Sequence, residues 1–330
     1  MLPLKVRISG LGSYLPPRVV TSAELEERCG LEAGWVERHN GVVERRWAGG
    51  ETAAEMAAHA AREALHSADV EPGSVDLILS ASGTQQQPIP DNAPLVQRAL
   101  GLGASGIACM SVHTTCLGFL HGLDAASSLI ATGRYRRVLL VCADIASAGL
   151  DFGDPETATL LGDGAGAAVL EPARAGDASA VLALRFETYG DGAPLTEIRG
   201  GGTGLHPSSP DARPADFLFR MAGREVLRMA RKHLPGFLER LQPGLSRELG
   251  AVGLVVPHQT SRVGMRLLES FGWPPGRIVR TLHRTGNCVS ASLPLTLHDA
   301  VRSGQLARGD RVLLVGSGAG LSFGAAILTY

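Results

Sequence analysis

The hydrophobic pattern of the chain alternates between two kinds of segment. Short runs such as residues 75–79, 138–143 and 252–256 are apolar at nearly every position. Between them lie stretches in which apolar residues recur at helical spacing, as in residues 117–129. This alternation is typical of α/β proteins, and strands that are apolar throughout are covered by helices on both faces. The pattern therefore predicts buried sheets with helices on both sides.

The same pattern occurs twice. The sequence Arg-Val-Leu-Leu-Val stands at residues 137–141 and again at 311–315, and the Gly-Ala-rich segment 162–170 has a counterpart at 316–328. We therefore predict two similar α/β halves, residues 1–172 and 173–330, packed pseudo-symmetrically. The Gly-, Pro- and Ser-rich stretch 172–215 between them predicts surface loops that cap a substrate tunnel. Helices are expected over residues 217–233 and 290–301.

Composition excludes several classes of protein. The net charge is −1 over 330 residues, which gives no reason to expect a nucleic-acid or membrane-surface partner. The start of the chain lacks the basic and apolar regions of a secretory signal, and no apolar stretch is long enough to span a bilayer. Five cysteines without metal-ligand spacing favour a reduced, cytoplasmic protein without a structural metal.

Cys116 is the strongest candidate for chemistry. Small polar residues precede it, and a run of leucines at helical spacing follows it, so it is expected on the first turn of a buried helix. Free N–H groups and the positive dipole end at a helix start stabilise a thiolate, which is the nucleophilic form of cysteine. The competing interpretation is a small buried hydrophobic residue, the usual role of a free cysteine.

Two further candidate residues stand, like Cys116, at the end of a predicted strand or just before a predicted helix. His258 follows the apolar strand 252–256, and the carboxyl ends of strands are where α/β sheets place ligand chemistry. Considered alone, His258 fits a structural role better than a catalytic one. Asn287 precedes the predicted helix 290–301, where an asparagine ordinarily caps a helix or forms a turn. A cysteine, a histidine and an asparagine at three such ends together predict one enclosed polar site.

Taken together, these features make the sequence resemble the ketoacyl-ACP synthase III group of the thiolase superfamily over nearly its whole length. The motifs that carry the resemblance keep the family's order and spacing: residues 116–119 (CLGF), 161–167 (LGDGAGA), 257–259 (PHQ), 286–294 (GNCVSASLP) and 318–324 (GAGLSFG). The resemblance implies the thiolase fold, with two pseudo-symmetric α/β halves in a five-layered αβαβα arrangement. It also implies a homodimer in which segment 84–92 reaches the partner.

The resemblance also implies a reaction. Cys116 would accept an acyl group from acyl-CoA or acyl-ACP, and a malonyl group on an acyl carrier protein would then lose CO2 and condense with it. His258 and Asn287 would donate hydrogen bonds to the thioester carbonyl that gains charge, and the backbone N–H groups of Cys116 and Ala319 would form the oxyanion hole. No metal or redox cofactor is implied.

Residues at the substrate entrance are also carried over by resemblance. Trp35, Arg38 and Arg224 are expected to bind CoA or phosphopantetheine. Ile89, in segment 84–92, is expected to close the acyl pocket, where a side chain smaller than the common Phe favours a longer or branched acyl chain. A solvated charged surface is the competing interpretation for the arginines. The expected contacts with the carrier protein are Arg228, Arg262 and Arg266.

Alternatives to this function remain open at the level of sequence. Specialised relatives in secondary metabolism join two acyl chains or transfer an acyl group to a hydroxyl or an amine. Residues 113–115 (HTT) and Cys288 both depart from the usual family pattern. Acyl-transferring relatives often lack the asparagine, so Asn287 favours condensation. A non-catalytic subunit of a heterodimer would usually lack Cys116, and a thioester hydrolase would need an activated water for which the sequence offers no specific residue.

Overall fold

A computed structural model describes residues 3–330 of the chain. Its strands are β1 Val6–Tyr14, β2 Arg18–Thr21, β3 Glu44–Trp47, β4 Leu77–Ser80, β5 Ala108–Ser111, β6 Val138–Asp144, β7 Gly164–Pro172, β8 Ala180–Thr188, β9 Thr196–Glu197, β10 Arg220–Met221, β11 Leu254–Pro257, β12 Arg311–Gly318 and β13 Ser322–Thr329. Its α-helices are α1 Ser22–Cys29, α2 Trp35–Asn40, α3 Ala53–Ala68, α4 Asn92–Ala99, α5 Gly118–Ala131, α6 Pro155–Ala158, α7 Gly223–Leu241, α8 Arg262–Glu269, α9 Leu282–Thr285 and α10 Ser292–Arg302.

Two main sheets repeat one topology. The first has the order β1-β7-β6-β4-β5, and the second has the order β8-β13-β12-β11. In each sheet an antiparallel pair (β6 with β7, β12 with β13) adjoins a parallel pair (β4 with β6, β11 with β12). A single parallel bridge from Val255 to Ile278 takes the place that β5 has beside β4. The internal repeat read from the sequence is therefore present in the fold, with its fifth strand reduced to one bridge.

The sheets and helices form five layers. Helices α5 and α10 lie between the two sheets, α3 packs on the outer face of the first sheet, and α7 packs on the outer face of the second. Alternate residues of β6 explain its apolar sequence: Leu139 and Val141 face the outer core under α3, whereas Leu140 and Cys142 face the central core around α5 and α10. The expected αβαβα arrangement is confirmed.

The linking stretch 172–215 departs from the expectation of loops. It contains β8, a nine-residue strand that pairs with β13 along its length and forms one edge of the second sheet. The Gly and Pro residues that predict loops lie only from about residue 189 onward, after the strand ends. The prediction wrongly extended their loop signal to the whole stretch. Helix α7 also differs from the predicted 217–233: it begins at Gly223, after β10 has paired with β9, and continues past Pro235 to Leu241.

None of the helices in residues 3–330 is both long and apolar enough to cross a membrane. Within the same residues, no group of three or more His, Cys, Asp or Glu side chains is arranged to hold a metal ion.

Candidate active site

Cys116, His258 and Asn287 line one cavity of about 360 Å³. Cys116 comes from the first half of the chain, whereas His258 and Asn287 come from two segments of the second half, and each stands beside the carboxyl end of a strand or the start of a buried helix. Most of the remaining wall is contributed by the second half of the chain, from α7, α8 and the β12–β13 hairpin. The three residues predicted to act together are thus brought to one enclosed space.

Cys116 lies in a tight 3-10 turn, Thr115–Leu117, directly ahead of α5. Thr115 has a left-handed backbone, with φ of 48°, which is strained for a residue with a side chain and is a frequent feature of functional sites. Gly118 is required next, because a Cβ there would stand 1.8 Å from the carbonyl oxygen of Ala81 at the end of β4. The turn therefore packs closely against the first sheet, and this packing fixes the position of the Cys116 sulfur.

The second half of the chain repeats this turn. Residues Val289–Ala291 form a 3-10 turn ahead of α10, and Val289 has φ of 51°, matching Thr115. Ser290 consequently occupies the position that Cys116 has in the first half. One of the two symmetric positions carries a thiol, and the other carries a hydroxyl that is fully buried.

Burial dominates the acidity of the nucleophile. It raises the pKa of the Cys116 thiol to about 12, and the nearby charge of Asp144 adds to the increase, whereas the backbone N–H groups of Cys116 and Ala319 oppose it. Backbone donors at the start of the helix therefore stabilise the thiolate, but burial raises the pKa by more than they lower it. The free energy needed to remove the thiolate from water is larger than the stabilisation that these N–H groups provide.

Two backbone donors lie near the Cys116 sulfur. The N–H groups of Cys116 and Ala319 both lower the pKa of its thiol. Ala319 lies in the tight hairpin between β12 and β13. Gly318 lets that hairpin come close, since a Cβ there would be 3.1 Å from Oγ1 of Thr115 and 3.2 Å from Cγ of Leu117. Backbone N–H groups from both halves of the fold thus favour negative charge next to Cys116.

His258 is buried, with 2 % of its surface exposed, directly after β11. Its backbone N–H donates to the carbonyl of Val315 at 2.8 Å, which fixes it beside β12. Nδ1 is sealed from solvent and has no hydrogen-bond partner within residues 3–330, so Nε2 is the nitrogen left for a ligand. Burial lowers the pKa of the imidazole to about 4. At neutral pH the ring is uncharged and can serve as a hydrogen-bond donor.

The amide of Asn287 is oriented by the backbone around it. Oδ1 accepts a hydrogen bond from the N–H of Val289 at 2.9 Å, and Nδ2 donates to the carbonyl of Thr260 at 3.3 Å. An amide NH2 carries two hydrogens, so one remains for a ligand in the cavity. The main chain of Asn287 is held in turn by Leu160 and Gly162. Asn287 therefore acts as a donor rather than only as a helix cap.

Asp144 connects the two halves beneath this site. Its carboxylate, at the end of β6, accepts hydrogen bonds from the N–H of Thr84 at 2.6 Å, from the N–H of Ala291 at 3.1 Å and from the hydroxyl of Ser290. Burial raises the pKa of this carboxyl, whereas these donors oppose the change. The network fixes the Ser290 turn, which is adjacent to Asn287. The sequence motif gave no sign of this role, because the partners of Asp144 are distant in the chain.

The predicted residues at the cavity entrance are only partly in place. Arg224, on the first turn of α7, lines the cavity. Trp35 does not line it directly but stacks on His39, which does, with ring centroids 4.1 Å apart. Arg38 is turned away: its guanidinium contacts Glu32 and donates to the carbonyl of Ala33 at 3.1 Å. The position of Arg38 therefore does not support the expected contact with CoA. The next residue, His39, lines the cavity instead, because the side chains of neighbouring residues on a helix point about 100° apart.

The remaining predicted residues lie outside the cavity. Arg228 is exposed on α7, one turn beyond Arg224. Arg262 donates to the carbonyl of Arg38 at 2.6 Å, at the end of α2, and lines a separate cleft of about 540 Å³ together with Arg266. The side chain of Ile89 is 85 % exposed and does not line the cavity of its own chain.

Several lining residues were missed by sequence reasoning. His39 and Asn40 at the end of α2, and Thr260 and Ser261 after His258, supply polar groups to the wall. The last two could have been noticed, since they follow His258 at the carboxyl end of a strand. His39 and Asn40 carry no local signal, because their role depends on how α2 packs against α8.

Comparison with known proteins identifies the family. Models of 3-oxoacyl-[acyl-carrier-protein] synthase III match residues 110–190, and those of its C-terminal part match residues 246–330. A beta-ketoacyl-[acyl-carrier-protein] synthase III of Aquifex aeolicus is 35 % identical over 98 % of this chain and 99 % of its own. An acetoacetyl-CoA synthase of Streptomyces sp. strain CL190 is 34 % identical over the full length of both.

Solved structures agree with these sequence matches. The crystal structure of 3-oxoacyl-(acyl carrier protein) synthase III from Pseudomonas aeruginosa superimposes with a TM-score of 0.86 at 32 % identity, covering 99 % of this chain and 98 % of that one. The fold described above agrees with these matches. The chain belongs to the 3-oxoacyl-ACP synthase III family of thiolase-fold enzymes.

Proposed function

We propose that this protein is an acyltransferase that catalyses decarboxylative condensation of an acyl group with a malonyl thioester. The observation that carries the proposal is the convergence of Cys116, His258 and Asn287 on one cavity, where the backbone N–H groups of Cys116 and Ala319 lower the pKa of the thiol. Acyl-CoA or acyl-ACP would supply the first group, and malonyl-ACP the second. The reaction belongs to fatty-acid or polyketide-type biosynthesis, and no step in it requires a metal or redox cofactor.

In the first half-reaction the sulfur of Cys116 attacks the carbonyl of the incoming thioester. The negative charge that develops on that oxygen is stabilised by the N–H groups of Cys116 and Ala319, which also lower the pKa of the thiol. Collapse of the intermediate breaks the bond to the carrier's sulfur, and the departing thiolate takes up the proton that the Cys116 thiol loses. The acyl group is then bound to Cys116.

In the second half-reaction the malonyl group loses CO2, and the electron pair of the broken C–C bond moves onto the thioester carbonyl as an enolate. Nε2–H of His258 and the free Nδ2–H of Asn287 are the donors for that oxygen. The carbanion attacks the acyl carbonyl, and the thiolate of Cys116 leaves and regains a proton. Since burial keeps His258 neutral, with a pKa of about 4, its stabilisation is by hydrogen bonding.

The proposal is tested by mass spectrometry of the intact protein with a panel of acyl-CoAs. Cys116→Ala should abolish the acyl adduct, whereas Cys288→Ala and Cys109→Ala should retain it. Asn287→Ala should still become acylated but should lose product formation from malonyl-ACP by about 10²–10³. An Asn287→Ala protein that forms product at the wild-type rate would instead favour acyl transfer to a hydroxyl or an amine.

The carrier protein is proposed to dock beside the entrance. Arg224, Arg228, Arg231 and Lys232 are exposed along α7, and none of them makes a salt bridge within residues 3–330. Such unpaired positive charge suits an acidic carrier and speeds its encounter. Arg228→Glu should raise the KM for malonyl-ACP, and the effect should weaken at high salt. An unchanged KM at low ionic strength would exclude this surface.

We further infer a homodimer. β5 is an edge strand of the first sheet and leaves one row of backbone groups unpaired, and Ile89 stands exposed in segment 84–92. The apolar sequence of β6 does not support this inference, because β6 is paired on both sides within its sheet. Cys109→Pro, which removes a backbone donor from the open edge of β5, should shift a dimer toward monomer in light scattering. A wild-type monomer at micromolar concentration would contradict the inference.

A further inference from the structure

The two halves of the fold place different chemistry at one equivalent position. Asp144 in the first half and Gly318 in the second each stand three residues after the repeated sequence Arg-Val-Leu-Leu-Val, and each ends a strand. Gly318 lies against the turn that holds the nucleophile, where a Cβ on it would be 3.1 Å from Oγ1 of Thr115. Asp144 lies against the matching turn of the other half, where it accepts a hydrogen bond from Ser290. One turn therefore meets a glycine, and the other meets a buried carboxylate.

Four hydrogen-bond donors surround the carboxylate of Asp144. Oδ1 accepts from the N–H of Thr84 at 2.6 Å and from its hydroxyl at 3.0 Å. Oδ2 accepts from the hydroxyl of Ser290 and from the N–H of Ala291 at 3.1 Å. We call Asp144 and these four donors the Asp144 network. The carboxylate is fully buried and forms no salt bridge within residues 3–330, so these hydrogen bonds take the place of a cation.

The two hydroxyls of the Asp144 network are oriented as donors. The hydroxyl oxygen of Thr84 accepts a hydrogen bond from the N–H of Ile145 at 3.2 Å, and that of Ser290 accepts one from the N–H of Gly83 at 3.1 Å. Each hydroxyl hydrogen is then left for the carboxylate. Four donors suit an ionised carboxylate, and a buried polar network in which every member is paired is rigid.

The Asp144 network fixes the turn that orients Asn287. Two of its donors, Ser290 and Ala291, belong to the turn Val289–Ala291. Val289 has φ of 51°, which is strained for a β-branched residue and persists only where the surroundings hold it. The N–H of Val289 donates to Oδ1 of Asn287 at 2.9 Å. If the turn relaxed, this N–H would move, and the amide of Asn287 would lose the orientation that leaves one hydrogen for the cavity.

The nucleophile depends less on the Asp144 network. None of the four donors belongs to the turn Thr115–Leu117, which packs against Gly318 instead. The charge of Asp144 contributes to the raised pKa of the Cys116 thiol. Removing this charge should lower that pKa and should not slow attack by the sulfur. A neutral residue in place of Asp144 therefore affects the two half-reactions differently.

We propose that Asp144 is a positioning residue for condensation, because it holds the turn Val289–Ala291 and thereby directs the amide of Asn287 at the carbonyl that becomes the enolate. The inference rests on the proposed function and adds a residue to its second half-reaction. Asp144 does not line the cavity, so its effect on the substrate passes through Asn287. It has no positioning role in acylation of Cys116.

Asp144→Asn tests the proposal, because it keeps the shape of the side chain but replaces one acceptor with an NH2 group that faces two donors. Acylation is followed by intact mass with the acyl-CoA that loads the wild type fastest. Condensation is followed as product from the acylated protein and malonyl-ACP. Its kcat should fall about tenfold or more, since misplacing a group by about 1 Å can cost about 10²-fold in rate. The KM for malonyl-ACP should change by less than about twofold, and acylation should not slow.

A second variant and a matched control accompany this substitution. Ser290→Ala removes one donor and keeps the charge, so it should also lower condensation without slowing acylation, in case Asp144→Asn folds poorly. Ser82→Ala is the control: Ser82 is also buried and accepts a hydrogen bond from the N–H of Ala143 at 3.0 Å, but it does not donate to Asp144. Ser82→Ala should keep the wild-type ratio of condensation to acylation. Near-ultraviolet circular dichroism and urea unfolding establish that each variant is folded.

A double-mutant cycle separates positioning from general support of the fold. In Asn287→Ala protein the amide is absent, so adding Asp144→Asn should lower condensation by less than about twofold further. A purely structural role of Asp144 would instead lower the rate by the same factor in both backgrounds.

Equal losses of acylation and condensation, or the same loss with and without the Asn287 amide, would overturn the proposal. Wild-type condensation by both Asp144→Asn and Ser290→Ala would overturn it as well. Failure of the underlying function is distinguishable: Asn287→Ala alone would then form product at the wild-type rate, or Cys116 would give no adduct with any acyl-CoA. Either of those results would exclude this inference together with the proposed function.

Discussion

Acidification should destabilise the folded protein through the buried imidazole of His258. Burial lowers the pKa of this group from 6.5 to about 4. In the unfolded chain the ring is hydrated and binds its proton near pH 6.5, whereas in the folded chain it stays neutral until about pH 4. The unfolded state therefore binds more protons between these values. Stability is full above pH 6.5 and is lost as the pH falls through this window.

The magnitude follows from the size of the shift. A difference of about 2.5 pH units corresponds to about 3.4 kcal/mol if the whole window is crossed, at about 1.36 kcal/mol per unit. Between pH 7.5 and pH 5.0 the same relation gives a loss of about 2 kcal/mol. This part of the loss belongs to His258 alone, and other groups that titrate in this range add their own contributions.

Urea unfolding at the two pH values, followed by tryptophan fluorescence, measures this loss. His258→Gln is the matched variant, because glutamine is of similar size and uncharged at both pH values. The wild-type protein should lose about 2 kcal/mol more than the variant on going from pH 7.5 to 5.0. Equal losses in the two proteins would refute the claim that the fold holds His258 neutral.

Further predictions concern the nucleophile, a buried charge and a close contact. Because burial raises the pKa of Cys116 to about 12, its alkylation rate by iodoacetamide should rise about tenfold per pH unit from pH 7 to 10; a plateau near pH 8 would contradict this. Arg45 is fully buried and donates to two backbone carbonyls and one hydroxyl, so Arg45→Met should lower the free energy of unfolding by about 3 kcal/mol or more in urea denaturation. Gly118→Ala would bring a Cβ to 1.8 Å from the carbonyl oxygen of Ala81 and should abolish acylation by acyl-CoA in intact-mass measurements, whereas Gly103→Ala, with no atom nearer than 3.9 Å, should retain it. Full acylation of Gly118→Ala would show that the turn tolerates displacement.

The hydrophobic pattern was sufficient for most of the fold. The apolar strands β4, β6, β11 and β12 and the buried helix α5 lie where the pattern predicted them, and the repeated halves follow from the same pattern. The prediction began helix α7 too early in the chain and missed strand β8, because the Gly- and Pro-rich composition near residue 200 outweighed the signal of the strand. Periodicity is a local property, so it succeeds wherever burial is regular over several residues.

For the site, local sequence indicated which residues stand at strand and helix ends, including Cys116, His258 and Asn287. It could not indicate which side chains at the entrance turn inward, so His39 lines the cavity where Arg38 was expected. It also missed Asp144, whose partners Thr84 and Ser290 are 60 and 146 residues away in the chain.

Local pattern was enough to predict the buried strands, the internal repeat and the chemical types of the three candidate catalytic groups, because these depend on periodicity and on the identity of single residues. The pKa values of Cys116 and His258 and the cavity that the three candidates share depend on tertiary packing. A pKa depends on how much water and charge the folded chain leaves around a group. A cavity depends on the distance between helices and sheets that are far apart in the chain, and no local pattern encodes that distance.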